Sequence, residues 1–443
     1  MSLVTISAIA VLAAGCDPAG VLEVEDPDII NPANVQSAAG AEAVRLGALA
    51  RFVGATSGDE SYWMLGGLFA DEWINGDSFI ARQEIDQRVI TPENGFLTSA
   101  NRQLHRVRLS AAQAIALIRQ FNPTAPAWQI GEMFMLQAYT ITLMAEHVCD
   151  GLIISEVVEG REVYGQPITT TAAFERALGL ANEGLAAVTG TTAHDVRVRH
   201  ALALVRGRIL LNLNRPAEAA TAVSAVPTAY AYTHRHSLTT WSNTFWTWNR
   251  NARRFSVGNN EGTNGLNFAT AADPRVPVCH GNDTACRAIG VTNSVRDDLG
   301  APFHVFMASG REDPVNIMQG VDARMIEAEA QHRAGNFAAA LVTMNAARAT
   351  RTGLAPLTDP GTADARVNLI FRERAFWQFS RGYRTGDLRR LIRQYGRAQT
   401  AVFPIGTWHK GGNYGTDVNF PTPLAEQNNP NLGLGAGCMN RGA

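Results

Sequence analysis

Lysine is almost missing from this chain of 443 residues: of 38 basic residues only Lys410 is lysine, and the others are arginine. A bias of this kind matches codon usage in a GC-rich genome and points to no chemistry. Charge of one sign is not in excess either, since the formal net charge is −2. The basic footprint of nucleic-acid binding is therefore absent, and nucleic acid is not an expected partner. Cysteine is scarce. Cys16, Cys149, Cys279, Cys286 and Cys438 are the five, too few for a disulfide scaffold and with no CxxC pair. HExxH, GxSxG, P-loop and GxGxxG motifs are missing. Glu327 and Glu329 are paired carboxylates on a helix that reads as repeat core and surface, and nothing selects two positioned acids for glycoside hydrolysis. His234 and His236 flank Arg235 without an evident third ligand, so no metal site is expected. The expectation is a protein that is not an enzyme and carries no cofactor. Apolar residues are what the chain has, 46% against 18% charged, which excludes a charge-rich disordered chain.

The N-terminal apolar run, LVTISAIAVLAA at 3–14, falls short of the roughly 20 residues of a membrane span. Its length suits the h-region of a secretory signal, and Ala14-Gly15-Cys16 resembles a bacterial lipobox. Residues 1–15 are then a lipoprotein signal peptide. Cys16 is the lipidation site, and several acyl chains anchor the mature protein firmly. No Lys or Arg precedes the apolar run, which departs from the usual pattern. Residues 16–34 carry five acids and Pro18, Pro27 and Pro32, and read as an extended acidic tether.

From residue 35 onward the dominant period is helical, with apolar residues at three-and-four spacing in 35–53, 61–74, 100–121 and 131–148. Two segments fit tetratricopeptide-like hairpins. In 201–226, Gly207 and Ala219 lie twelve residues apart. In 321–349, Ala328 and Ala340 repeat that spacing around a Gly335-Asn336-Phe337 turn. Residues 131–148 and 171–188 make a third hairpin, split by an inserted loop. Between about 227 and 317 the helical signal stops, and aromatic, Asn, Gly and Thr residues indicate loops and short strands. The expected fold is mainly α: one helical-repeat body over 35–443 carrying a loop-rich insert.

Toward the C-terminus, Arg372-Glu373-Arg374-Ala375, Phe379, Gly382-Tyr383-Arg384 and Asp387-Leu388-Arg389-Arg390 are followed by Pro421, Pro423, Glu426 and Asn429-Pro430. With the lipobox and the hairpins, these resemble the SusD/RagB family of outer-membrane nutrient-binding lipoproteins, through its "ERA.EF..EG.R..DL.R" signature and closing "P.P..E...NP" element. Gln378 and Arg381 stand where that family usually carries acids. The resemblance implies a surface-exposed outer-membrane protein, facing the extracellular side, that caps a SusC-type TonB-dependent transporter and captures an oligosaccharide or a peptide for import. The alternative is a tetratricopeptide-type envelope lipoprotein acting as a protein-interaction scaffold; a secreted hydrolase ranks below both. Read from the residues alone, the dense mixed charges of 372–390 permit buried ion pairs that knit the last helices to the repeats.

Two clusters have the flat aromatic faces and planar amides that sugar rings require. One is Trp241, Trp246 and Trp248 with Asn243, inside the insert and joined by Phe245, Asn249 and Arg250. The other is Trp73, Asn75 and Asp77, with Asp71, Glu72 and Arg82, which otherwise reads as a helix end with a solvated acidic face. Cys279 and Cys286 suit a small disulfide-closed loop in an oxidising compartment. Cys149 and Cys438 could then pair, although four cysteines allow three connectivities.

Overall fold

The computed structural model describes residues 35–158, 161–291, 297–300, 303–432 and 437–443. Cys16, the signal segment and the tether lie outside these residues.

Thirteen helices of the described residues build the body. α1 (Ala38–Val53) runs against α4 (Gly95–Phe121), and α2 (Tyr62–Phe69) and α3 (Ile80–Gln87) pack on each other and on α4. α5 (Ala127–His147) is the central helix. Every residue from Gly131 to His147 is buried, so it is enclosed on all sides and not amphipathic. Its hairpin partner is α6 (Thr170–Ala187), reached through the short pairs β2 (Leu152–Ile153) with β5 (Pro167–Ile168) and β3 (Glu156–Val158) with β4 (Arg161–Val163).

The next hairpin is α7 (Ala193–Asn212) with α8 (Pro216–Val223). Thr192 and Asp195 cap α7 reciprocally, which fixes its start. A Cβ on Gly207 would lie 2.5 Å from Val223 Cγ1, so the small residue is what lets these two helices close. α10 (Gly320–Arg333) and α11 (Phe337–Ala349) repeat the arrangement, with Ala328 and Ala340 both fully buried between them. α12 (Ala363–Trp377) and α13 (Arg384–Tyr395) close the body, and α9 (Thr284–Ala288) is a short turn in the insert.

The insert is a closed excursion. Its two ends, β6 (Ala231–His234) and β10 (Val315–Gln319), pair antiparallel, from Val315 opposite His234 to Gln319 opposite Ala231. Within it, β7 (Phe255–Val257) pairs with β1 (Trp73–Asn75), and β8 (Val278–His280) pairs with β9 (His304–Phe306). The pairing of β7 corrects the helix expected over 61–74. Ala70 leaves the helical region at φ −87°, ψ −103°, and the chain continues as the strand that fastens the insert to the N-terminal helices. Tertiary pairing overrides a local pattern that was apolar enough for either state.

Most charges of 372–390 are buried and paired; Arg372 is half-buried beside Asn267, and the buried Arg389 donates to the Ala145 and Val148 carbonyls. Arg374 grips Asp387 through two hydrogen bonds of 2.7 and 2.8 Å. Arg390 grips Glu329 of α10 at 2.6 and 2.8 Å, and Arg384 holds Asp71 at 2.6 and 2.7 Å. Glu373 accepts from Arg275 of the insert and Arg348 of α11, each at 2.7 Å. Such two-pronged pairing depends on the guanidinium fork, which a lysine does not have. Burial alone would push Glu329 up, but the Arg390 charge and its hydrogen bonds outweigh burial and hold the carboxyl below its ordinary range. Asp387 behaves likewise between Arg374 and Arg390.

Cys149, at the end of α5, is bonded to Cys438, which ties the C-terminal tail to the central helix. Cys279 is bonded to Cys286 within the insert.

Candidate functional site

The insert meets the C-terminal end of α12 in a cleft of about 190 Å³. Its lining follows from three local features. Phe245 and Phe306 pack edge to face with centroids 5.7 Å apart, and Phe306 meets Phe379 at 5.5 Å. These rings, set at steep angles to one another, form an apolar floor. Trp377 and Phe376 come from the last turn of α12, where Arg275 lies 5.1 Å and 5.3 Å over their rings. Trp377 is half-buried, and its indole N–H lies in a solvent-excluded position with no hydrogen-bond partner among the described residues. Asn316 and Gln319 of β10 complete the wall. Thr233 donates to the Asn316 carbonyl oxygen at 2.7 Å, which leaves its NH2 group as a donor.

The two charged side chains in this wall are neutralised. Arg275 is shared between Asp273 and Glu373, and Arg381 is gripped by Asp322 at 2.9 and 2.6 Å. The cleft therefore offers aromatic side chains and an amide donor without net charge. That is the chemistry for stacking a neutral ring and holding its polar rim.

Of the tryptophan-rich segment only Phe245 lines this cleft. Residues 243–251 turn through a π-helical stretch, Trp246–Asn251, which sends neighbouring side chains in different directions. Trp246 is half-buried, with the Arg311 guanidinium 5.2 Å over its ring. Trp248 faces away and carries Arg82 at 4.8 Å. Trp241 lies over Gly54 and Gly58 in the turn after α1, where added Cβ atoms would come within 2.7 and 2.9 Å of it. Asn243 is fully buried and pins the rim. Its amide donates to Asp313 O at 3.0 Å, and its backbone N–H donates to Arg311 O at 2.9 Å. Arg250 adds a bond to Ser309 O at 2.6 Å. Asn249 clamps β7 to β9 through Phe255 O, His304 O and Phe306 N.

The acidic segment is not a solvated face, and as placed it offers a ligand no surface. Trp73 is 0% exposed, stacks behind Phe245 at 6.2 Å, and donates to Ser380 Oγ at 2.6 Å. Asn75 is 0% exposed and braces the turn at Asp77, whose carboxylate takes Arg82 at 2.7 Å. Burial pushes the Glu72 carboxyl up to about 8 against the Ser380 N–H that it accepts. Trp73, Asn75 and Asp77 thus leave the set of contact residues; Trp73 supports the cleft from behind. The residues that sequence reasoning missed are Trp377, Phe306 and Asn316. Trp377 sat inside the C-terminal signature, where its neighbours read as frame.

A second hollow, of about 280 Å³, lies between α1, α5 and β6. It is more highly charged: Arg45 and Arg197 share Glu132, and Trp128 stacks on His194 at 4.9 Å. His234 and His236 do not converge on a metal. His236 Nδ1 donates to Trp241 O at 3.2 Å, and His234 packs edge-on to Phe52. Among the described residues one group, Asp86, Glu261 and His409, does have metal-ligand geometry.

No protein-family model and no curated protein sequence matches the chain. Solved structures do. A SusD superfamily protein from Parabacteroides distasonis superposes with TM-score 0.66 at 13% identity, over 91% of this chain and 99% of that one. Surface glycan-binding protein A from Bacteroides thetaiotaomicron gives 0.63 at 12% identity, over 89% and 97%. A SusD-like carbohydrate binding protein from Bacteroides vulgatus gives 0.57 at 12% identity, over 80% and 83%. The chain has the mainly helical fold of the SusD superfamily.

Proposed function

We propose that this protein captures a neutral oligosaccharide in the cleft between the insert and α12, as a lipid-anchored protein on the outer face of the outer membrane that delivers its ligand to a SusC-type TonB-dependent transporter. It works by binding, without chemistry on the ligand. The observation that carries this reading is the cleft itself, an aromatic floor with an unspent amide donor in which both arginines are paired. A peptide with a charged side chain would find no free counter-charge there, which favours a sugar. The fold supports the reading, because two proteins of the same fold are described as carbohydrate- or glycan-binding. The lipobox at Cys16 supports the anchor, and the transporter follows from the family resemblance.

The test is isothermal calorimetry of the mature protein against neutral oligosaccharides, acidic oligosaccharides and peptides. Binding of a neutral glycan, weakened about tenfold or more by Trp377→Ala, is expected, since one stacked aromatic contributes on the order of 1.4 kcal/mol. Trp246→Ala weakens it less, and Trp248→Ala leaves it unchanged. A panel in which no neutral glycan binds, or binding indifferent to Trp377→Ala, rejects the cleft. Co-purification with a TonB-dependent transporter encoded beside it tests the delivery step.

A further inference from the structure

Three segments far apart in sequence bring one ligand atom each to within 4.8 Å of one another: Asp86 near the end of α3, Glu261 after β7 and His409 in the C-terminal segment. The hydrogen bonds around them fix their states. His409 Nε2 faces the Asn75 carbonyl at 2.9 Å, so that nitrogen carries the hydrogen and Nδ1 presents its lone pair. Nδ1 is excluded from solvent, has no hydrogen-bond partner, and lies 3.6 Å from Asp86 Oδ2. Asp86 and Glu261 are 2% and 6% exposed. No arginine or lysine among the described residues pairs with either. Lys410, the nearest candidate, donates to Asp298 and to the Asp77 carbonyl. The neutral donors present are Trp408 and the Asn75 N–H to Asp86, and Tyr414 with the Asn259 N–H to Glu261. Two buried carboxylates and an imidazole lone pair thus face one another with no lysine or arginine of the described residues in contact; Lys410 acts on Asp86 only at longer range.

We propose that Asp86, Glu261 and His409 bind a divalent transition-metal ion of the zinc class, which fastens α3, the insert and the C-terminal segment together. The ligand set is one imidazole and two carboxylates. It suits zinc-type ions and is a poor match for calcium, which takes six to eight oxygens. The spacing agrees: two ligands on a tetrahedral ion with bonds of ~2.1 Å lie ~3.4 Å apart, close to the 3.6 Å between Nδ1 and Asp86. The Asn75 carbonyl supplies the outer contact that usually orients a ligating histidine. His409 is 22% exposed at its side chain, so an ion can enter from that side.

The mature protein without an affinity tag is stripped with a chelator, dialysed, and given Zn²⁺ or Ca²⁺ alone. Metal content by mass spectrometry, calorimetry and thermal unfolding are then read. The expected results are one Zn²⁺ per chain, a melting temperature raised by about 3 °C at a hundredfold excess over Kd, and affinity at least about 100-fold weaker in Glu261→Gln. His409→Gln, at a partly exposed position, is a second variant that keeps the fold and is expected to lose the same affinity. Absence of stoichiometric Zn²⁺, binding unaffected by both substitutions, or preference for Ca²⁺ overturns the proposal. In the first case the two acids share a proton and no ion.

Discussion

Glu329→Gln is the sharpest test of what holds the C-terminal helices to the repeats. Glu329 and Arg390 are each 1% exposed at the side chain, and the pair sits beside Arg374 and Asp387, so that two arginines and two acids form a neutral buried quartet. The amide keeps the volume but removes one negative charge. It also leaves one acceptor oxygen where there were two, so the bidentate bond to Arg390 falls to a single bond and the new NH2 group turns a donor toward donors already there, the Arg390 guanidinium or the Tyr395 hydroxyl. One uncompensated guanidinium charge then remains in the interior. Removing one partner of a buried pair costs about 3–5 kcal/mol. With an unfolding entropy of roughly 2.1 cal/mol/K per residue over about 400 ordered residues, that is a melting temperature lower by about 4–6 °C. Urea unfolding of the disulfide-intact protein reads the free energy directly. The double variant Glu329→Leu with Arg390→Met leaves Arg374 and Asp387 as a closed neutral pair and is expected to cost less than Glu329→Gln alone. A loss below about 1 kcal/mol for the single variant, or a double variant as costly as the two singles together, would show that the quartet is not the cohesive unit described.

Glu72 gives the opposite pH signature. Its folded value of about 8 lies above its ordinary 4.5, so the folded state keeps a proton that the unfolded chain releases between those values. Stability therefore falls as pH rises through that window, by up to about 1.4 kcal/mol per pH unit. Glu72→Gln should stabilise more at pH 8 than at pH 5 in paired urea midpoints, and an equal effect at both would refute the assignment. Glu329 and Asp387, held low, contribute stability above their unfolded range that is lost as pH falls through their folded values. The Cys149–Cys438 bond spans 289 residues and Cys279–Cys286 spans 7. Chain entropy then assigns about 6 and about 2 kcal/mol to them, so Cys438→Ser is expected to lower the unfolding free energy more than Cys286→Ser, and the reverse order contradicts the loop argument. Gly382 has φ +71°, and a Cβ there would meet Trp63 Cδ1 at 2.6 Å. Gly382→Ala should cost about 2–5 kcal/mol from left-handed strain and overpacking together, and a neutral result in thermal unfolding rules out that packing.

The helical hairpins were legible because their signal is local. Three-and-four apolar spacing and the pairs Gly207/Ala219 and Ala328/Ala340 are set by neighbours within one hairpin. The ion pairs were legible only as a density of charge, since Arg384 finds Asp71 across 313 residues and Arg390 finds Glu329 across 61. Spacing cannot name such partners. The site was half legible for a related reason. Of the segment 241–248 only Phe245 lines the cleft, and the π-helical stretch directs Trp246 and Trp248 to different surroundings, so closeness in sequence did not become closeness in space. Trp73 was a correct residue type in the wrong layer, one ring behind the cleft.

The departures at Gln378 and Arg381 tie the frame to the cleft. Where the resemblance leads one to expect acids, the acid comes from another helix: Asp322, at the start of α10, takes both nitrogens of Arg381 and lies 3.4 Å from the Gln378 amide. The same carboxylate accepts the Gln319 N–H at 2.8 Å, and the Gln319 side chain answers at the Asp322 N–H as a reciprocal cap. Gln319 and Arg381 are both cleft residues. One buried carboxylate therefore neutralises the arginine in the wall, starts the helix that carries Glu329, and fixes the end of β10 on which Asn316 stands. On the other side Glu373 does the equivalent work by holding Arg275 over Trp377. The neutrality and the rigidity of the cleft thus have a common origin, because the pairs that remove its charge also anchor its walls to the helical body.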